Sequence, residues 1–239
     1  MDPRRPRGIR VRTDLHAAIN MAAKLPEELL KEILSISLHV SEHDFADTGP
    51  TSPFRLITRS GSYLLVVSKR WMRVATPELY RTVILRSIAQ AKRLSLALKS
   101  NPGLGSHVRQ LRIEGAYGDA LRHIAARCSF VTDICISLRV WSHDNASGLV
   151  VALTQLAPTR VVLTLAPEKL PSNRQHDELL QALCKHIKTW NSLVCLEKLT
   201  GCSLTYLNSS LRGCSSLQVR TYADQMDLSG PISLSIARS

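Results

Sequence analysis

Two short strings in this chain of 239 residues carry side chains that could do chemistry. His39-Val40-Ser41-Glu42-His43 fits the inverted zinc-peptidase pattern H-x-x-E-H. On a continuous helix its two imidazoles would share a face and bind one zinc, with Glu42 as general base. The string stands at the end of an amphipathic segment and just ahead of a turn-rich one, with neither a third ligand nor a walled cleft in view, so a chance match is the better reading. Ser142-His143-Asp144 contains three triad residue types. Adjacent side chains in a strand point to opposite faces, however, and no G-x-S-x-G elbow accompanies them. No strand runs into G-x-G-x-x-G or G-x-x-x-x-G-K-[ST], and Asn101-Pro102-Gly103-Leu104-Gly105 precedes a strand rather than joining a strand to a helix, which makes it a turn. The expectation is a chain that is not an enzyme and holds no metal or cofactor.

The six cysteines, Cys128, Cys135, Cys184, Cys195, Cys202 and Cys214, form no C-x-x-C pair and stand mostly in apolar segments. They read as small core residues in a reducing compartment. Asn145-Ala146-Ser147 and Asn208-Ser209-Ser210 are formal glycosylation acceptors, more simply a loop and a helix start. There is no run of about eighteen apolar residues, and MDPRRPRGIRVR lacks a signal-type apolar stretch. The expected setting is cytoplasmic, nuclear or both, with no membrane.

The net charge is +12 and unevenly placed. Residues 1–24 carry five arginines and one lysine against two aspartates, 25–54 carry six acids against Lys31 alone, and 55–93 carry nine basic residues against Glu78. The arginine-rich leader reads as a disordered basic tail. The basic stretch 55–93 would attract an acidic partner or nucleic acid, which keeps a basic nucleic-acid-associated protein as the alternative function, although scarce aromatics leave no stacking platform.

The best-specified elements are helical. Pro26 suits the first position of a helix, and Glu27 and Glu28 lie in its first turn, where the helix dipole favours negative charge. Leu29, Leu30, Ile33, Leu34 and Leu38 follow at three- and four-residue spacing along one stripe. Leu64, Val67, Trp71 and Val74 recur at the same kind of spacing, and Ala75-Thr76-Pro77 is expected to end that helix. Between them, residues 41–63 mix Asp44, Asp47, Gly49, Pro50, Pro53 and Gly61, and read as an exposed loop.

The strings LPEELLKEIL and VSKRWMRVATPELY, in this order, resemble the two halves of an F-box, interrupted here by the 41–63 insertion. With TGPTSPF and NPGLGSHVRQLRIEG, the chain is similar over roughly residues 25–200 to F-box proteins with leucine-rich-like arrays that abound in mushroom-forming (basidiomycete) fungi. The resemblance implies docking on a Skp-type adaptor, and through it on a cullin-RING ubiquitin ligase, by Leu25, Pro26, Leu29, Leu30, Ile33, Leu64, Val67 and Trp71 or by the residues they support. It also implies an unidentified protein substrate held by the remainder of the chain.

After Tyr80, strand-like segments recur at Val83-Ile84-Leu85, 108–113, 132–140, 160–165, 193–199 and 217–222. Helical segments separate them at 87–99, 119–126, 147–156 and 177–189, with Ile88, Ala91, Leu94 and Leu98 expected inward in the first. The period of roughly 21 to 37 residues suits a stack of supersecondary units. A doubly wound sheet would alternate in the same way, and resemblance favours the solenoid. The expected class is α+β: a basic leader (1–24), a helical F-box (25–82), an irregular leucine-rich-repeat-like β/α solenoid (83–229) and a flexible tail (230–239). The polar end DQMDLSGPISLSIARS offers no capping helix.

Overall fold

The computed structural model describes residues 25–49, 51–55, 61–164, 173–199, 211 and 217–222. The leader, the last residues, Cys202, Cys214, Asn208 and the expected missing cap lie outside them.

Six strands follow Tyr80: β1 (Thr82–Leu85), β2 (Gln110–Ile113), β3 (Asp133–Ser137), β4 (Arg160–Thr164), β5 (Cys195–Leu199) and β6 (Gln218–Tyr222). They pair in chain order, every pair parallel. Just ahead of the strands the same pairing starts early, through Arg109 N–H to Arg81 O, Thr132 N–H to Arg109 O, Thr159 N–H to Thr132 O and Val194 N–H to Thr159 O. Parallel neighbours need crossovers, supplied among the described residues by α4 (Ile88–Ser100), α5 (Asp119–Ala125), α6 (Ser147–Gln155) and α7 (Arg174–Thr189). The class is α/β, six parallel strands alternating with helices; the α+β expectation is corrected because strand and helix interleave in one sheet.

Among the described strands the order never reverses, so they form no topological switch point of the kind where open α/β sheets bind nucleotides. The four helices lie on one face. Ala91, Leu98, Leu121, Ile124, Leu149, Leu153, Leu179, Leu183 and Ile187 join Leu111, Ile113, Ile134, Ile136, Val161, Leu163 and Leu196 in one buried cluster. At two residues per side-chain repeat, the alternate strand positions form the opposite face. Ile88, expected inward, is 52% exposed: it stands in the first turn, beside the edge strand, and the stripe turns inward only from Ala91.

Two backbone details bring the helices close. Gly118 adopts φ 57°, a left-handed value that a side chain disfavours, immediately before α5. Gly148 opens α6 against it, where a Cβ would stand 1.7 Å from the Gly118 carbonyl oxygen.

Ahead of the sheet lie α1 (Glu27–Leu38), α2 (Glu42–Ala46), a 3-10 turn at Gly61–Val66 and α3 (Lys69–Arg81). Pro26 is the cap of α1 rather than its first helical residue; its backbone is extended and its carbonyl accepts from Leu30 N–H. The helix expected to stop at Pro77 runs on to Arg81 and straight into β1. An interior proline costs about 3 kcal/mol. Packing on both sides offsets this: Val74 and Ala75 are buried before Pro77, and Leu79 beyond it stands with Leu38 around Gly61. Thr76 Oγ1 donates to the Met72 carbonyl at 2.6 Å, one residue before the Arg73 carbonyl that a proline at 77 leaves without its helical donor.

The expected exposed loop is corrected as well. Ser41 caps α2 by accepting from Asp44 N–H, and Phe45 and Phe54 are buried. The segment crosses the sheet face opposite α4–α7, where Phe45 packs with Cys135 and Val162, flanked by Val40 and Ala46.

Candidate functional site

The first candidate surface belongs to α1, the 3-10 turn and α3. Leu30, Leu34, Leu64, Val74 and Ala75 form their shared core, with Leu38, Leu65 and Trp71 packed at its edge. Arg70 donates to the Leu25 carbonyl and Arg73 pairs with Glu27 at 2.5 Å, tying the start of α1 to α3. The predicted docking residues therefore divide. Leu30 and Leu64 are internal, Trp71 and Leu25 are half-buried, and Pro26 is exposed. Leu29, Ile33 and Val67 are 48%, 47% and 51% exposed, and Ile36, Val66, Met72 and Tyr63 are exposed with them. Grouped apolar exposure of this kind marks interaction surfaces.

The second candidate is the sheet face under α2. Across it the register aligns one row of Thr82, Gln110, Asp133, Arg160, Cys195 and Gln218, and a second of Ile84, Arg112, Cys135, Val162, Glu197 and Arg220. Here the strands carry charge between aliphatic residues. Arg112, 3% exposed, donates through Nη1 to the carbonyls of Phe45 (2.7 Å), Asp47 (2.9 Å) and Asp44 (3.3 Å). The Asp44 carbonyl also accepts from Asp47 N–H, while those of Phe45 and Asp47 stand at the end of α2, where a cation is favourable. Its Nε bonds Glu114 Oε1 at 2.7 Å, the same oxygen that accepts from Ser52 Oγ at 2.7 Å, and its guanidinium stands 5.5 Å from the Phe54 ring centroid. Arg86 donates to the Phe54 carbonyl and pairs with Glu114 at 3.5 Å.

At the other end of α2, Glu42 accepts from Gln110 Nε2 at 2.6 Å and Arg160 Nη1 at 2.7 Å. Arg160 grips Glu197, which is fully buried, with a fork of 3.0 and 3.1 Å. Burial works against the Arg160 charge, and the bonds to Glu197 and Glu42 outweigh it, raising its pKa above the ordinary arginine value. Cys135, beneath Phe45, has its thiol pushed up to about 12 by burial.

The structure separates the residues of the chemistry-bearing strings. His39 follows the end of α1 and His43 belongs to α2, so the two do not share a helix. His39 and Glu42 line an open cleft of about 680 Å³ between the end of α1, the last turn of α3 and the starts of β1–β3, whereas the His43 side chain is 87% exposed beside Asp44. Among the described residues no group of three His, Cys, Asp or Glu side chains could hold a metal ion. Asp144 is occupied in a turn, accepting from Trp141 N–H at 2.8 Å, with His143 3.9 Å away. Cys128, Cys135 and Cys184 are buried and, with Cys195, unbridged. Among the described residues no helix is long and apolar enough to cross a membrane.

Sequence reasoning missed Phe45, Arg112 and Glu197. Two of them had a signal: Leu111-Arg112-Ile113 and Leu196-Glu197 place a charge at the alternate position of an aliphatic strand, which assigns it to the face away from the helices. Phe45 had none, since its partners are far away in sequence. Comparison of the chain with known protein families, curated proteins and solved structures finds no match in any of the three.

Proposed function

We propose that the chain is a non-catalytic substrate receptor. Its α1–α3 unit is an F-box that docks on a Skp-type adaptor of a cullin-RING ubiquitin ligase, and its sheet is an irregular leucine-rich-repeat-like solenoid that holds a protein substrate. The observation that carries the reading is the division of the apolar stripe on α1: Leu30 and Leu34 close the unit while Leu29, Ile33 and Ile36 stay exposed, as do Val66 and Val67 of the same unit. Strand order in chain sequence, with the described crossover helices on one face, supports the solenoid. The chain would contribute proximity, raising the effective concentration of substrate lysines near a transferring enzyme on another subunit.

The basic stretch lends less support to a nucleic-acid role, because Arg70, Arg73 and Arg86 are engaged with Leu25, Glu27, Phe54 and Glu114 of the same chain. Co-expression with the adaptor of the same host tests the proposal. An apolar interface holds in moderately high salt, whereas retention on DNA or RNA falls steeply. A folded chain that does not co-purify with the adaptor overturns the docking role.

A further inference from the structure

The two faces of the sheet differ in a way that packing alone does not require. Toward α4–α7 the inward strand positions of β2, β3 and β4 are aliphatic. Toward α2 the same strands, with β5, present Gln110, Asp133, Arg160, Arg112 and Glu197 around a small apolar patch of Cys135 and Val162. Burying Arg112 and Glu197 carries a desolvation cost that aliphatic residues would avoid. A face meant only as permanent core has no need of them. A face that recognises a ligand uses such groups for selectivity, around an apolar socket.

What fills the socket is small. Five residues of helix, too few to be stable alone, present Glu42 to Arg160 and Gln110, and Phe45 to Cys135 and Val162 three residues later. The carbonyls of Phe45 and Asp47 at the end of the turn go to Arg112. We infer that this face is a binding site for a short helical segment of a partner protein that carries an acidic residue and, three positions on, an aromatic one, and that Glu42–Ala46 occupies it as an internal stand-in which the partner displaces. The inference rests on the receptor reading for its biological meaning, because the displacing segment would belong to the substrate. Its test uses neither adaptor nor ligase, so the two can fail separately.

The probe is a fluorescent peptide with the sequence of residues 38–55, titrated into the full-length chain and into its Glu42→Gln, Phe45→Ala double variant. Loosening the stand-in is expected to tighten peptide binding at least ten-fold, and a peptide with alanine in place of the phenylalanine is expected not to bind. Equal affinity for wild type and a folded variant overturns the inference. Hydrogen exchange of the wild-type chain decides independently: α2 amides are expected to exchange at least a hundred-fold faster than those of β3 and β4. Exchange of α2 together with the sheet, or a double variant that does not fold, makes α2 an integral part of the core and removes the site.

Discussion

Leu29 and Leu30 are neighbours in sequence, about a quarter-turn of helix apart, and differ in surroundings: Leu30 is closed inside the α1–α3 core, and Leu29 stands half in water. Aspartate at Leu30 would bury a charge among Leu34, Leu64 and Val74 and cost at least about 3 kcal/mol. Aspartate at Leu29 and Ile33 is a surface change, within about 0.5 kcal/mol of neutral. The Leu29→Asp, Ile33→Asp variant is therefore expected to unfold at the wild-type denaturant midpoint and to lose the adaptor in co-purification. Leu30→Asp is expected to lose both, and retention of the adaptor by the surface variant would move the docking face elsewhere.

Gly148→Ala places a methyl group where the Gly118 carbonyl already lies. Because the obstacle is backbone, α6 must shift away from the start of α5, at a cost of about 1–3 kcal/mol. Thermal unfolding reads this as a fall of about 2–4 °C per kcal/mol. An unchanged melting temperature would contradict the close approach of the two helices.

Arg112 is expected to be the most sensitive charge in the chain. Arg112→Met leaves the carbonyls of Phe45 and Asp47 without their donor and removes one of two cations from Glu114, a loss of about 3–5 kcal/mol. Arg112→Lys keeps the charge without the planar fork and is expected to lie between the two. Denaturant midpoints for the three proteins give the order directly.

Burial pushes the Cys128 and Cys135 thiols up to about 12 from the usual 9.0. The folded chain thus keeps protons that the unfolded chain releases above pH 9. The contribution to stability is complete below pH 9 and is lost as the pH rises toward 12. Alkylation followed by mass spectrometry at pH 8 is expected to leave both cysteines unmodified in the native chain and to label them once it is denatured; rapid native labelling would place them at the surface.

All six strands and the four described helices between them were legible in the sequence because the signal is local: apolar alternation for β3, a short continuous apolar run for β4, three- and four-residue spacing for α6 and α7. The errors fall where distant contacts decide. Pro77 announces a helix end, and only the packing of Leu79 beside Leu38 and Gly61 keeps α3 going. Turn-forming residues around Phe45 announce a loop, and a socket built from β3 and β4 makes part of it a helix. Spacing places Leu29 and Leu30 on one stripe, and telling the exposed from the buried required the partner helix α3.

The Glu42–Arg160 bond spans 118 residues of chain. At about 5–20 residues per second, a ribosome that has just made Phe45 needs on the order of ten seconds more before β4 exists. The described crossover helices meet neighbouring strands soon after they emerge, whereas this phenylalanine must wait in water or on a chaperone for its seat to be synthesised. A nascent or truncated chain that lacks β4 has neither Val162 to seat Phe45 nor Arg160 to hold Glu42, and its α2 is born undocked.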